Sequence, residues 1–216
     1  MKNKTNKPAL FMNREEKKQL LIDGLLHAKD NKNIIDALTK LQNEMCVSFP
    51  TKVVAIAAIK DDDLSACFAK AFADAYSANG DTTLIIDANL YNQKLRSIIG
   101  NQDLDVEAKE QGKEKQFISI DKNTDAWCLD NEIYPSTVYK SGLIQKTIND
   151  NKEKYNHFIV IVPSIKEHKE ISLLGDVIDS IVLITRKNVT LIEHIYYAIQ
   201  YLYENNLPLA KTVVLK

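Results

Sequence analysis

The residues best placed to do chemistry follow two apolar runs. After Val53–Ile59 the chain reads Lys60-Asp61-Asp62-Asp63-Leu64-Ser65-Ala66, and after Thr82–Ile86 it delivers Asp87. A strand-to-helix turn, with a carboxylate ending the next strand, is the usual ligand position in open α/β sheets. A phosphate-binding loop here would need glycines for close backbone approach, a lysine for the phosphates and Ser or Thr for Mg²⁺. The turn has no glycine, and three carboxylates stand at the helix start. At about 5 Å each opposes a phosphate charge by roughly 1 kcal/mol in bulk water and roughly 3 kcal/mol at an effective dielectric near 20. A nucleotide would then need a bridging Mg²⁺ or Ca²⁺ held by the acids. The plainer role for Asp61–Asp63 is structural, because Asp favours the N-cap and negative charge near a helix N-terminus gains about 0.3–1 kcal/mol.

The elements that must position these groups follow from periodicity. Val53–Ile59 is a continuous apolar run, as expected of a strand buried on both faces. Leu64, Phe68, Phe72 and Tyr76 repeat every four residues on one helical stripe, which Gly80 ends. Thr82–Ile86 is the next strand, expected to lie adjacent to the first and to end in Asp87. Upstream, helices are expected near Glu15–Ala28 and Asn33–Cys46, the second burying Ile34, Ile35, Leu38 and Leu41. Downstream, Asp103–Lys115 reads as a surface loop or frayed helix, and Phe117–Ile120 and Trp127–Leu129 as short strands. A helix is expected near Ser141–Lys154, strands at Phe158–Val162 and Ser180–Thr185, and a last strand at Lys211–Leu215. Thr190 is expected to cap a helix in which Leu191, Ile195, Ile199 and Leu202 share a face. Strands alternating with helices imply an α/β fold with a doubly wound, mainly parallel sheet flanked by helices. Residues 1–30 read as a polar extension with the leading helix, and 31–216 as the α/β domain.

Composition removes several function classes. With 216 residues and 45% hydrophobic content, the chain suits one domain with a sizeable core. A net charge of −1 gives no reason to expect nucleic acid as a partner. The basic start, Met1–Lys18, reads as a solvated tail without the apolar face of a membrane anchor. Cys46, Cys67 and Cys128 have no metal or CxxC spacing and read as buried small hydrophobes in a reducing cytosol. His27, His157, His168 and His194 are likewise scattered. Neither a signal peptide nor a transmembrane run is present. The expected setting is cytoplasmic, with the inner face of the membrane reached only through a partner.

Order and spacing carry a resemblance. Ala58–Cys67 aligns with S-x-x-P-G-E-G-K-S-T, Ala78-Asn79-Gly80 with A-G, and Leu84–Gly100 with L-L-I-D-A-D-L-R-x-P-x-L-H-x-x-F-G, without a gap from Lys52 to Gly100. Tyr155–Pro163 resembles Y-D-Y-V-I-I-D-T-P, Asp179–Arg186 resembles D-G-V-L-L-V-V-R, and Pro135-Ser136 falls at N-P-S-E. Asp36–Met45 is similar to E-A-x-R-x-L-R-T-N-I. These are patterns of the bacterial tyrosine kinases of capsule and exopolysaccharide synthesis, a branch of the MinD/ParA-like P-loop ATPases. The resemblance implies a P-loop NTPase-like, three-layer α/β/α domain.

The departures fall on the functional letters. Ser65 stands at the phosphate-loop lysine and Ala66 at its Mg²⁺-binding neighbour, while Asp62 and Leu64 replace glycines. Asp87 is kept, but its partner acid becomes Asn89, and the later strand-end acid becomes Ile161. The ring-assembly arginines fall on Thr39 and Gln42. Lys60 falls where MinD-like proteins carry a second, signature lysine, although a lysine at a strand end is commonly just solvated. Tyr196, Tyr197, Tyr201 and Tyr203 could replace a phosphorylated tyrosine cluster, but the first three are expected to pack or half-bury on their helix. Phosphoryl transfer rests on positioning and charge stabilisation, so losing lysine, hydroxyl and metal acid together leaves little to catalyse with.

The expected function is therefore a degenerate, non-enzymatic regulatory or adaptor module in exopolysaccharide or capsule synthesis, with no cofactor and no catalytic or metal residues. The expected partner is the cytosolic tail of a membrane activator that regulates polysaccharide chain length, or a paralogous active kinase. The vestigial nucleotide positions are Lys60, Asp61, Asp62, Asp63, Ser65, Ala66, Asp87, Asn89 and Ile161. The alternatives are an ATP- and Mg²⁺-using kinase or ATPase rebuilt around Lys60 and Asp87, and a MinD/ParA-like positioning protein.

Overall fold

A strand with no polar side chain must be covered on both faces, and Val53–Ala58 (β1) is central for that reason. The computed structural model describes residues 13–47, 51–60, 64–100, 117–129 and 134–215. The acidic turn Asp61–Asp63, the stretch Asp103–Lys115 and the first twelve residues of the basic tail lie outside them.

β1 is paired in parallel with His157–Ile161 (β5) on one side and Ser180–Arg186 (β6) on the other. Thr83–Asp87 (β2) pairs with β5 and with Thr124–Cys128 (β4). Ile118–Asp121 (β3) runs antiparallel to β4, and Leu209–Leu215 (β7) closes the other side against β6. The order is β3-β4-β2-β5-β1-β6-β7. Contrary to expectation, β2 is not the neighbour of β1, because β5 lies between them. Asp179 fixes the start of β1, its Oδ2 accepting the N–H groups of Lys52 (2.8 Å) and Val53 (2.7 Å).

The pleat of β1 divides the core. Val54 and Ile56 face Arg14–Leu26 (α1), Lys32–Cys46 (α2) and Leu64–Ala78 (α3), where Leu25, Leu38, Met45, Phe68 and Phe72 are buried. Val53, Ala55 and Ala57 face Pro135–Lys140 (α5), Leu143–Asn151 (α6) and Ile192–Glu204 (α7), which contribute Val138, Ile144, Ile148, Ala198 and Leu202. The short helix Leu95–Ile99 (α4) follows β2. The result is the expected three-layer α/β/α arrangement with a mainly parallel sheet.

Several local expectations need correction. The helix expected near Ser141–Lys154 is present as Leu143–Asn151, and a further short helix, Pro135–Lys140, precedes it across Gly142, whose φ of +68° no continuing helix tolerates. Thr190 is not the cap of α7: its hydroxyl accepts the N–H of Arg186 (2.9 Å), and Leu191 stands at the N-cap. Leu191 and Ile199 are exposed, so the buried face of α7 is formed by Ala198 and Leu202. On α2, Ile34, Ile35 and Leu41 are only half-buried, and the buried set is Leu38, Gln42 and Met45. Cys46 is exposed and Cys128 half-buried, leaving Cys67 as the buried thiol. Arg14, Lys17 and Lys18 of the expected tail lie in α1, whose N-terminus Asn13 and Glu16 cap reciprocally. Tyr196 is exposed, whereas Tyr197, though 44% exposed, packs against Lys169.

His157 makes stability depend on pH. Its ring stacks on Tyr76 with centroids 3.8 Å apart, and burial pushes its pKa below 6.5 despite Asp81 at 3.6 Å. Protonation is thus harder in the folded than in the unfolded chain, so this contribution is complete above the unfolded pKa of 6.5 and is lost as pH falls below it. Denaturant midpoints should drop between neutral pH and pH ~5 in the native chain and drop less in His157→Phe. Equal slopes in the two proteins would refute the assignment.

Candidate functional site

The carboxyl ends of β1, β2 and β5 form one edge of the sheet, and the chain knits them tightly. Beyond β5, Val162 N–H donates to Ile56 O (3.1 Å), Ile165 N–H to Ala58 O (3.1 Å) and the Ser164 hydroxyl to Ile59 O (2.8 Å). Ala88 N–H, just past β2, donates to Ile161 O (3.0 Å). β1 and β5 send their connections to opposite faces, so the switch point of the sheet, the usual ligand position in such folds, falls between their carboxyl ends.

Lys60 is exposed directly after β1. Ser65 and Ala66 are buried in the first turn of α3, Ala66 within the apolar layer beneath the sheet. Asp87 and Ile161 stand side by side in the β2–β5 register, both buried. The Asp87 carboxylate accepts the N–H of Asn89 through Oδ1 (3.3 Å) and of Leu95 through Oδ2 (3.1 Å). It thereby ties the loop after β2 to the start of α4. Asn89 is buried too, its Oδ1 accepting the N–H of Asn92 (3.3 Å). The edge thus unites Asp87, Asn89 and Ile161 in one loop cluster, while Asp61, Asp62 and Asp63 lie outside the described residues.

The electrostatics are anionic and phenolic on one side. Tyr139 donates its hydroxyl to Ala88 O (2.6 Å), and burial, followed by Glu170, Asp87 and Tyr91, holds its pKa far above 10. Tyr91 stacks on His168 (3.6 Å between centroids) and donates its hydroxyl to Glu170, which raises its pKa to about 12. Sequence reasoning missed Tyr139, Tyr91, His168, Glu170 and Ser164. The available signal was the polar run after Pro163, immediately beyond a buried strand. Among the described residues no group of three or more His, Cys, Asp or Glu could hold a metal ion. The Asp87 carboxylate organises backbone, and the position beside it, Ile161, is aliphatic.

Away from this edge, Gln42 is buried and its amide donates to Phe72 O (2.8 Å), tying α2 to α3. The side chain at this position therefore works inside the molecule.

The fold is shared with solved kinase and ATPase domains. The chain superposes on the kinase domain of the Escherichia coli tyrosine kinase ETK with a TM-score of 0.72 and 13% identity, covering 83% of this chain and 74% of that one. For the VpsO kinase domain the values are 0.69 and 13%, covering 92% and 97%. A ParA family ATPase from Chlorobium tepidum gives 0.56 and 19%, covering 76% and 73%. No family model matches the chain, and no curated protein matches it in sequence. Among the described residues no helix is long and apolar enough to cross a membrane.

Proposed function

We propose that this domain is a degenerate relative of bacterial tyrosine kinase domains, acting as a nucleotide-independent regulatory or adaptor module in exopolysaccharide or capsule synthesis. The observation carrying this reading is the pairing of Asp87 with Ile161. One strand end keeps a carboxylate that holds two backbone N–H groups, and its neighbour has a side chain that cannot hold a metal or its water. Ser65 and Ala66, buried at the head of α3, supply no cation for a polyphosphate. The better superposition on kinase domains than on a ParA ATPase supports the kinase-like reading over a positioning role.

The partner would be the cytosolic tail of a membrane activator that regulates polysaccharide chain length, or a paralogous active kinase. A domain without nucleotide stays in one state, so its partner affinity carries no population penalty. Capture of such a tail is expected to be unchanged by ATP and by Asp61→Ala, Asp62→Ala and Asp63→Ala made together. Calorimetric titration with Mg²⁺-ATP or Mg²⁺-ADP is expected to give no saturable heat, corresponding to a Kd weaker than about 1 mM. Saturable binding that disappears in a folded Lys60→Ala variant would instead establish a rebuilt nucleotide site.

A further inference from the structure

Helix α7 is apolar on more of its circumference than the described residues cover. Ala198 and Leu202 are buried against the sheet. On one flank, His194, Tyr197 and Tyr201 meet the connection from β5 to β6. Lys169 Nζ lies 4.5 and 4.0 Å from the Tyr197 and Tyr201 ring centroids, and Lys166 Nζ is 2.7 Å from His194 Nε2. The opposite flank carries Ile192, Tyr196, Ile199 and Tyr203 at i, i+4, i+7 and i+11, between 36% and 82% exposed. Because the first flank faces the chain arriving from β5, the second faces the outer edge of the sheet, at β7. A helix apolar on both sides is normally covered on both.

β7 is itself open. It is a terminal strand of seven residues, Leu209–Leu215. Val213 O and Leu215 O accept from Thr185 and Lys187 on the β6 side, so the alternating backbone groups of Thr212 and Val214 point to the outer edge. Val213 and Leu215 pack into the α1–α3 layer, which puts the half-exposed Val214 on the same face as α7. Lys211, the kind of residue that discourages edge pairing, is held by Glu44 at 3.0 Å.

We propose that this chain forms a two-fold dimer through the outer edge of β7 and the adjoining flank of α7, the two sheets joining into one. The proposal is independent of the functional reading above. Antiparallel pairing of two β7 edges places a dyad perpendicular to the sheet, which brings the same flank of each α7 face to face. As the crossover between β6 and β7, α7 lies over that strand pair. With strands about 4.8 Å apart, the two α7 axes come to lie about 10 Å apart, at the upper end of the helix-packing range. Tyr196 of one copy then meets Ile199 of the other. A stable interface takes about 600–1,000 Å² from each partner, and the exposed faces of Ile192, Tyr196, Ile199, Tyr203 and Val214 with the β7 backbone edge are the surface that supplies it.

The test is sedimentation equilibrium of the intact chain at micromolar concentration, with reductant present because Cys46 is exposed. Two variants are compared: Tyr196→Glu combined with Ile199→Glu, and Val214→Pro, whose lost N–H points away from β6. The native chain is expected at twice the monomer mass, and each variant should raise the dissociation constant about 30-fold or more with an unchanged circular dichroism spectrum. The Glu pair replaces exposed side chains only, so it carries the test even if Val214→Pro misfolds. A monomeric native chain, a dimer abolished by reductant, or a dimer persisting in either folded variant overturns the proposal.

Discussion

Asp87→Ala is expected to lower fold stability by about 2–4 kcal/mol, whether or not any ligand is present. The side chain is fully buried, and its two oxygens satisfy the N–H groups of Asn89 and Leu95. Alanine would strand both donors at the junction of β2 and α4, and a stranded buried donor costs about 1–3 kcal/mol. For a domain of this size the melting temperature should fall by about 5–15 °C. Asp87→Asn keeps one acceptor oxygen and should cost about half as much. If Asp87→Ala instead left stability within about 0.5 kcal/mol of the native chain, the carboxylate would be held for a ligand and the adaptor reading would fail. The measurement therefore separates a structural carboxylate from a catalytic one, a distinction that position at a strand end does not make.

Local pattern and tertiary context contributed differently to what could be read in advance. β1, β2, β5 and β6 were legible because each is a nearly unbroken apolar run, which burial on both faces demands. The insertion of β5 between β1 and β2 was not, since it joins segments about 100 residues apart and no local signal encodes strand order. The short helix Pro135–Lys140 was not legible, because six residues are too few to show a helical period. α7 misled because apolar residues occur around most of its circumference, so periodicity gave a stripe that only partly coincides with the buried one. At the site, Ser65, Ala66 and Ile161 could be singled out only by register against the pattern the chain resembles. The bond from Asp87 to Leu95 could not be read, because it depends on the path of the loop between two residues eight positions apart. Nor could the role of Gln42, whose amide needed a carbonyl thirty residues away.

Phe72→Ala is expected to cost about 3–5 kcal/mol, measured as a shift in urea midpoint at constant slope. The ring is fully buried, stacked on Phe68 at 5.7 Å between centroids and edge-on to Tyr76 at 5.3 Å. Truncation removes a large apolar group and leaves a cavity beneath β1 that neighbours in two helices and a sheet cannot collapse to fill. The residue's carbonyl also receives the Gln42 amide, so the cavity should loosen the seat of α2 on α3. Gln42→Ala alone should cost about 1–2 kcal/mol, and the double variant should fall short of the sum if the two share that seat. Phe72→Leu, which keeps most of the volume, should cost about 1–1.5 kcal/mol. Strict additivity would mean that α2 is held independently of the α3 aromatic row. A Phe72→Ala cost under 1 kcal/mol would mean that α3 is not packed against the sheet through this face, and the three-layer arrangement would have to be redrawn.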